Sequence, residues 1–222
     1  LKKNGLEENT LVNFTSDNGP WLSYGTHAGS TGIFKEGKGT SWEGGIRVPT
    51  LMQWKGNIPS GQVQDKMAMT IDLLPTIAHI TGVNLPEKTI DGKNIWPLIS
   101  MEKGAASPQE AYYIYYNKNE LQAVISGKWK LYFPHRYRTL PTEIEKPTNG
   151  IPVKYEMITL ENMELYDLEK DPSEHNNVIN DHAEVVGKLQ ALAEKARDDM
   201  GDALQQRVWK NTRPAKRFEA FQ

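Results

Sequence analysis

The spacing of apolar residues changes character along the chain, and each change predicts an element. Leu11-Val-Asn-Phe-Thr15 is a short apolar run without clean alternation, the pattern of a strand buried on both faces. It ends abruptly on Ser16-Asp17-Asn18-Gly19. From Ser16 to Gly45 there are eight glycines and little periodicity, so this stretch reads as a loop. A loop of that length is more often functional than idle. Arg47–Trp54 reads as a second strand, closed by the turn-rich Lys55–Gly61. Helical spacing then takes over from Thr70 to Gly82, with Pro75 in the first full turn and Gly82 as the stop.

Asp91-Gly92 is a turn, and Gly104–Pro108 marks a boundary, so two units are expected, residues 1–106 and 107–222. Beyond it the period becomes that of antiparallel strands. Ala111–Tyr116 is strongly aromatic. Leu121–Ser126 and Trp129–Phe133 flank Gly127-Lys128 and form a hairpin, and Glu164–Leu168 is a fourth strand. Thr139–Lys154, rich in Pro, Thr and Glu, reads as a loop. His182–Met200 is an amphipathic helix with Val185, Val186, Leu189, Leu192, Ala193 and Ala196 on one face. Asp181 is its candidate N-cap, with Glu184 three residues on. The tail, Arg207–Gln222, is basic and aromatic and reads as a surface-docked or frayed terminus.

Composition narrows the chemistry. The 222 residues, 38% of them hydrophobic, suffice for a core. A formal charge of −2 gives no global drive towards nucleic acid or an anionic membrane. There are no cysteines, which excludes disulfides, zinc–thiolate sites and a cysteine nucleophile within the chain. No apolar run approaches the roughly 18–20 residues needed to span a bilayer. Leu1-Lys-Lys-Asn-Gly is neither an initiator methionine nor a signal peptide, and the expectation is that the chain begins mid-protein.

The candidate chemistry sits in the glycine-rich loop. Asp17 and Asn18 follow a strand, where open α/β sheets bind ligands, and carboxylate and amide oxygens suit Ca²⁺ or Mg²⁺. On these residues alone an Asp-Asn-Gly turn is the better reading. Lys38, between Gly37 and Gly39, could present an ammonium to sulfate or phosphate oxygens, but spacing alone favours a solvated loop lysine. Gly32–Lys38 has phosphate-loop spacing, yet Gly39 stands where Ser or Thr is needed, and Glu43-Gly-Gly-Ile is a poor helix start. His27 could meet a substrate or be an exposed imidazole. His135, Arg136 and Arg138 form a local cationic patch, read as a solvated rim first and an anion contact second. Asp167–Glu174 lacks the mid-loop glycine of a calcium loop and reads as a turn. Asn13-Phe-Thr15 is a glycosylation sequon set aside because its strand is expected to be buried.

Taken together, Leu11–Gly19, Gly37-Lys-Gly-Thr-Ser-Trp-Glu-Gly-Gly-Ile-Arg-Val-Pro49, Thr70–Thr76, Asp91–Leu98 and Glu164–Glu174 resemble the sulfatase family. The resemblance implies an α/β fold: the end of a large alkaline-phosphatase-like α/β sheet domain, followed by a small C-terminal α+β domain. That small domain would be a four-stranded antiparallel sheet with one long helix. The resemblance also implies that Asp17 and Asn18 are ligands of an active-site Ca²⁺, that Lys38 contacts the sulfate, and that His27 lies on the substrate side. The family's formylglycine nucleophile arises from Cys or Ser in a Cys/Ser-x-Pro-Ser-Arg motif, which is missing here; Ser107-Pro108 lacks the Arg. The chain is therefore expected to be the C-terminal portion of such an enzyme, inactive alone, partnered by an upstream part of the same protein and acting on a sulfated small molecule or glycan. Export to a periplasmic, secreted or lysosome-like compartment follows by the same analogy. A phosphatase or phosphonate hydrolase of the same superfamily, or a domain in which the motifs are relics, are the alternatives.

Overall fold

The computed structural model describes residues 1–142 and 147–211. The chain divides into two units, each assembled from two stretches of sequence: Leu1–Asp17 with Val48–Glu110, and Asn18–Arg47 with the chain from Ala111 onward.

In the first unit, β1 (Val12–Thr15) pairs antiparallel with β2 (Thr50–Gln53), placing Phe14 opposite Leu51. The expected burial on both faces is not met: Phe14 and Leu51 are 64% and 65% exposed. The apolar run is that of a covered strand, but a two-stranded ribbon has no layer of its own to place over either face. Asn13 is exposed as well, so burial does not set its sequon aside. The helix expected over 70–82 forms as a 3₁₀ turn, Thr70–Asp72, running into α2 (Leu73–Thr81), after α1 (Glu43–Ile46) of the other unit. Gly82 ends it at φ 69°, a conformation that glycine adopts without steric cost. Fully buried Asp72 is the tie point. Its carboxylate accepts the Met69 and Lys93 amides, each at 2.8 Å, and the Gln109 side-chain amide at 2.5 Å. Thr76 Oγ1 accepts the Ile95 amide at 2.9 Å, which secures the start of α3 (Trp96–Ile99).

The second unit is built on an antiparallel sheet of order β3-β4-β5-β8. Its strands are β3 (Tyr112–Tyr116), β4 (Glu120–Ser126), β5 (Trp129–Tyr132) and β8 (Glu164–Asp167), the four expected. Period-two alternation gives the sheet two different faces. Leu121, Leu131 and Leu165 join Leu189, Leu192, Ala193 and Ala196 of α4 (Ala183–Met200) in one core. Lys130, Tyr132 and Tyr166 belong to the other face, where the Trp42 ring lies tilted 4.3 Å from that of Tyr132 and edge-on 5.9 Å from that of Tyr166.

One expectation is corrected, and one strand pair is added. His182, not Asp181, occupies the N-cap of α4, because Asp181 is the last residue of a 3₁₀ turn, Ile179–Asp181; the His182 ring lies 4.6 Å from Trp129. A further strand pair, β6 (His135–Thr139) with β7 (Glu156–Leu160), borders the stretch read as the Thr139–Lys154 loop. Residues 143–146 of that loop, and the tail beyond Asn211, lie outside the described residues. Among the described residues no helix is long and apolar enough to cross a membrane.

Candidate functional site

Apart from the 3₁₀ turn Leu22–His27 and the four-residue α1, the Asn18–Arg47 loop has no regular structure, and backbone crossings shape it. Gly19 N–H donates to Gly45 O at 2.9 Å, Lys38 N–H to Pro20 O at 2.9 Å, and Gly44 N–H to Lys35 O at 2.8 Å. Only glycine permits the tightest of these. A Cβ on Gly19 would lie 1.8 Å from Gly44 O, and one on Gly44 would lie 2.2 Å from Glu36 O. The short helix α1 forms within this knot despite its Gly-Gly. Its first amide, on Glu43, is taken by the Glu174 carboxylate at 2.7 Å, and Arg47 N–H closes on Glu43 O at 2.8 Å. Tertiary capping thus overrides weak propensity.

Lys38 is held at both backbone groups. Its N–H is on Pro20, and its carbonyl accepts Arg138 Nε at 3.0 Å and the adjacent Arg138 Nη2. Gly39, at φ 84°, turns the chain directly over the Arg138 guanidinium. Lys38 is half-buried as a residue, and its ammonium lies 5.5 Å from the Trp21 ring centroid. His27 is exposed, with Nε2 3.0 Å from Thr148 O. Nearby, Thr26 N–H donates to Pro147 O at 3.0 Å, so the 22–27 turn and the 147–155 segment brace each other. Asp17 is exposed. Asn18 is half-buried, and its Nδ2 donates to Gly19 O at 3.1 Å, which directs the amide.

Of the expected cationic patch, only Arg136 lies on a solvated rim. His135 is buried: Nδ1 donates to Phe133 O at 2.6 Å, leaving Nε2 to accept from Ser41 Oγ at 3.4 Å. Burial pushes its pKa below the usual imidazole value, which keeps it neutral. Arg136 points to water, and Arg138 is engaged at Lys38, with its guanidinium 4.5 Å from the Tyr155 ring.

Among the described residues no group of three or more His, Asp or Glu is arranged to hold a metal ion. Asp17 and Asn18 offer two hard oxygen donors, the right kind for Ca²⁺ but short of the six to eight it takes. They fit such an ion as part of a ligand set.

Sequence reasoning missed a buried ionic cluster behind the loop. Lys130 Nζ lies 2.9 Å from Glu43 Oε1 and 3.0 Å from Glu174 Oε1, the three side chains being 0–4% exposed. The available signal was a lysine inside the otherwise apolar and aromatic run Trp129–Phe133. Burial raises the Glu174 pKa, the Lys130 ammonium opposes that rise, and the Glu43 carboxylate adds to it.

A family described as N-sulphoglucosamine sulphohydrolase, C-terminal, matches residues 29–199. The chain belongs to the sulfatase family, as a C-terminal portion of its fold. It is 36% identical over 195 residues to arylsulfatase A of Homo sapiens, covering 85% of this chain and 37% of that protein. To the N-acetylgalactosamine-6-O-sulfatase of Bacteroides thetaiotaomicron it is 30% identical over 201 residues, 86% of this chain and 37% of that one. The crystal structure of the PsFucS1 sulfatase from Pseudoalteromonas sp. matches with a TM-score of 0.73 at 25% identity, over 88% of this chain and 38% of that chain. The chain thus spans well under half the length of these relatives.

Proposed function

We propose that this chain is the C-terminal part of a sulfatase that hydrolyses sulfate esters. In this reading Lys38 contacts the sulfate, Asp17 and Asn18 contribute to a Ca²⁺ site, and the formylglycine nucleophile comes from an upstream part of the same protein. The reading rests on one observation above others. Lys38 carries the only lysine side chain of the loop's Gly-Lys-Gly turn, in a chain of sulfatase family, and its backbone is fixed at both N–H and C=O.

In sulfate ester hydrolysis an oxygen nucleophile attacks sulfur, the S–O bond to the alcohol breaks, and the alcohol takes up a proton. Negative charge on the non-bridging oxygens must be offset throughout. An ammonium on a fixed backbone supplies that offset without reorganising. Bound Ca²⁺ would add electrostatic neutralisation of the same oxygens. His27 is assigned to the substrate side of the site. A sulfated small molecule or glycan is the substrate class, and export to a periplasmic, secreted or lysosome-like compartment belongs to the same proposal.

The test compares the isolated chain with the complete protein on an aryl sulfate. The complete protein should turn the ester over, and the isolated chain should release no more alcohol than its own Lys38→Ala variant. Turnover by the isolated chain above that control would overturn the upstream nucleophile. In the complete protein, Asp17→Ala should weaken calcium binding measured by isothermal titration; an unchanged affinity would remove Asp17 from the ligand set.

A further inference from the structure

Buried ion clusters are poor devices for stability, because well-packed apolar residues of similar volume serve as well or better. One that sits behind a functional loop therefore calls for another account. Here each member of the cluster grips the Lys35–Arg47 segment or the group that does. Glu174 Oε2 accepts the Glu43 amide at 2.7 Å. Glu174 Oε1 accepts the Tyr132 hydroxyl at 2.6 Å, which also lies 3.1 Å from the Ser41 carbonyl. Lys130 joins Glu174 to Glu43. Glu174 adopts φ 55°, a left-handed conformation uncommon for a residue with a side chain, and the neighbouring turn is tied by Asp171, whose carboxylate accepts the His175 and Asn176 amides at 2.8 and 2.7 Å.

From Glu43 the constraint passes forward through backbone. Gly44 N–H is bound to Lys35 O and Gly45 O to Gly19 N–H; next to Gly19, Pro20 O receives the Lys38 amide. A Cβ on Gly45 would stand 2.7 Å from Gly37 O, so the α1 turn also packs directly against the residue before Lys38.

We propose that Glu43, Lys130, Glu174 and Tyr132 are positioning residues for Lys38: the buried cluster fixes the α1 turn, and through it the backbone from which the Lys38 ammonium is aimed. This inference rests on the reading of Lys38 as the sulfate contact. It predicts that, per folded molecule, damage to the cluster slows the chemical step and does so only through Lys38.

The experiment is a double-mutant cycle in the complete protein, with kcat measured per folded enzyme on an aryl sulfate. Glu174→Gln should lower kcat about tenfold when Lys38 is present and less than about twofold in a Lys38→Ala background, since coupled residues are non-additive. An equal fall in both backgrounds would mean a general structural role and would overturn the inference, while a Lys38→Ala defect on its own would leave the sulfate-contact reading standing. If Lys38→Ala alone changes nothing, that reading fails and the inference with it. Should Glu174→Gln not fold, Tyr132→Phe takes its place in the same cycle, because it removes the hydroxyl shared by Glu174 and Ser41 and keeps the ring packed against Trp42.

Discussion

Replacing Lys130 with methionine is expected to destabilise the chain by about 3–5 kcal/mol, the range for deleting one partner of a buried ion pair. Methionine matches the lysine stem in length and flexibility, so the loss isolates the ammonium from the packing. That ammonium is the cation that faces both Glu43 and Glu174; without it Glu43 keeps the more exposed Arg47 guanidinium at 3.5 Å, but the two carboxylates lose the charge between them. The defect should depend on pH. Glu174 already has a folded pKa above its usual value, so between the unfolded and folded pKa the folded chain binds more protons, and stability falls as pH rises through that window. Lys130 restrains the upward shift. Methionine removes the restraint, widening the window, so the deficit read from urea denaturation should be smaller at acid pH than at neutral pH. Adding Glu174→Gln to Lys130→Met should recover part of the loss, because one of the two facing carboxylates is then gone. A Lys130→Met chain as stable as the parent at neutral pH would show that the cluster is not a paired ionic unit.

Such a cluster was hard to see in the sequence because its members are far apart and each has an ordinary local reading. Lys130 falls in a strand, Glu43 in a Gly-rich loop and Glu174 in a turn. The elements with strong periodicity were legible: the four strands of the β3-β4-β5-β8 sheet and the apolar stripe of α4 appear where spacing puts them. Elements decided by tertiary contacts were not. Helix α1 contains Gly44-Gly45 and depends on the Glu174 carboxylate for its first amide. Strand β6 reads His-Arg-Tyr-Arg-Thr, with charges at alternate positions that suggest a solvated rim, yet His135 and Tyr137 are its buried face. For β1 the error ran the other way: the apolar content predicted burial that the chain's own residues do not supply. At the site, residue types at Asp17, Asn18 and Lys38 were readable only as alternatives. The contacts that fix the Lys38 backbone join residues up to 100 apart, as where the Arg138 side chain donates to the Lys38 carbonyl.

Lys38→Ala should lower kcat of the complete protein about 10²–10³-fold, the loss typical when one preorganised group facing developing negative charge is removed. Several features make Lys38 the position with the largest expected effect in this chain. Its backbone carbonyl takes two donors from Arg138 and its amide is bonded to Pro20, so the stem starts from a fixed point. Its ammonium lies 5.5 Å from the Trp21 ring centroid, and an apolar neighbour strengthens a charge's field at an adjacent anion. His27 is exposed and engaged with the Thr148 carbonyl, so His27→Ala should cost less. Lys38→Arg is the sharper control. It keeps the charge but replaces a compact ammonium with a longer planar fork, so recovery should be partial if position matters and complete if only charge matters. Were Lys38→Ala to keep kcat within about threefold of the parent, the charge-offsetting role would have to be reassigned to another cation, and the constrained loop around Lys38 would be a structural feature without a catalytic purpose.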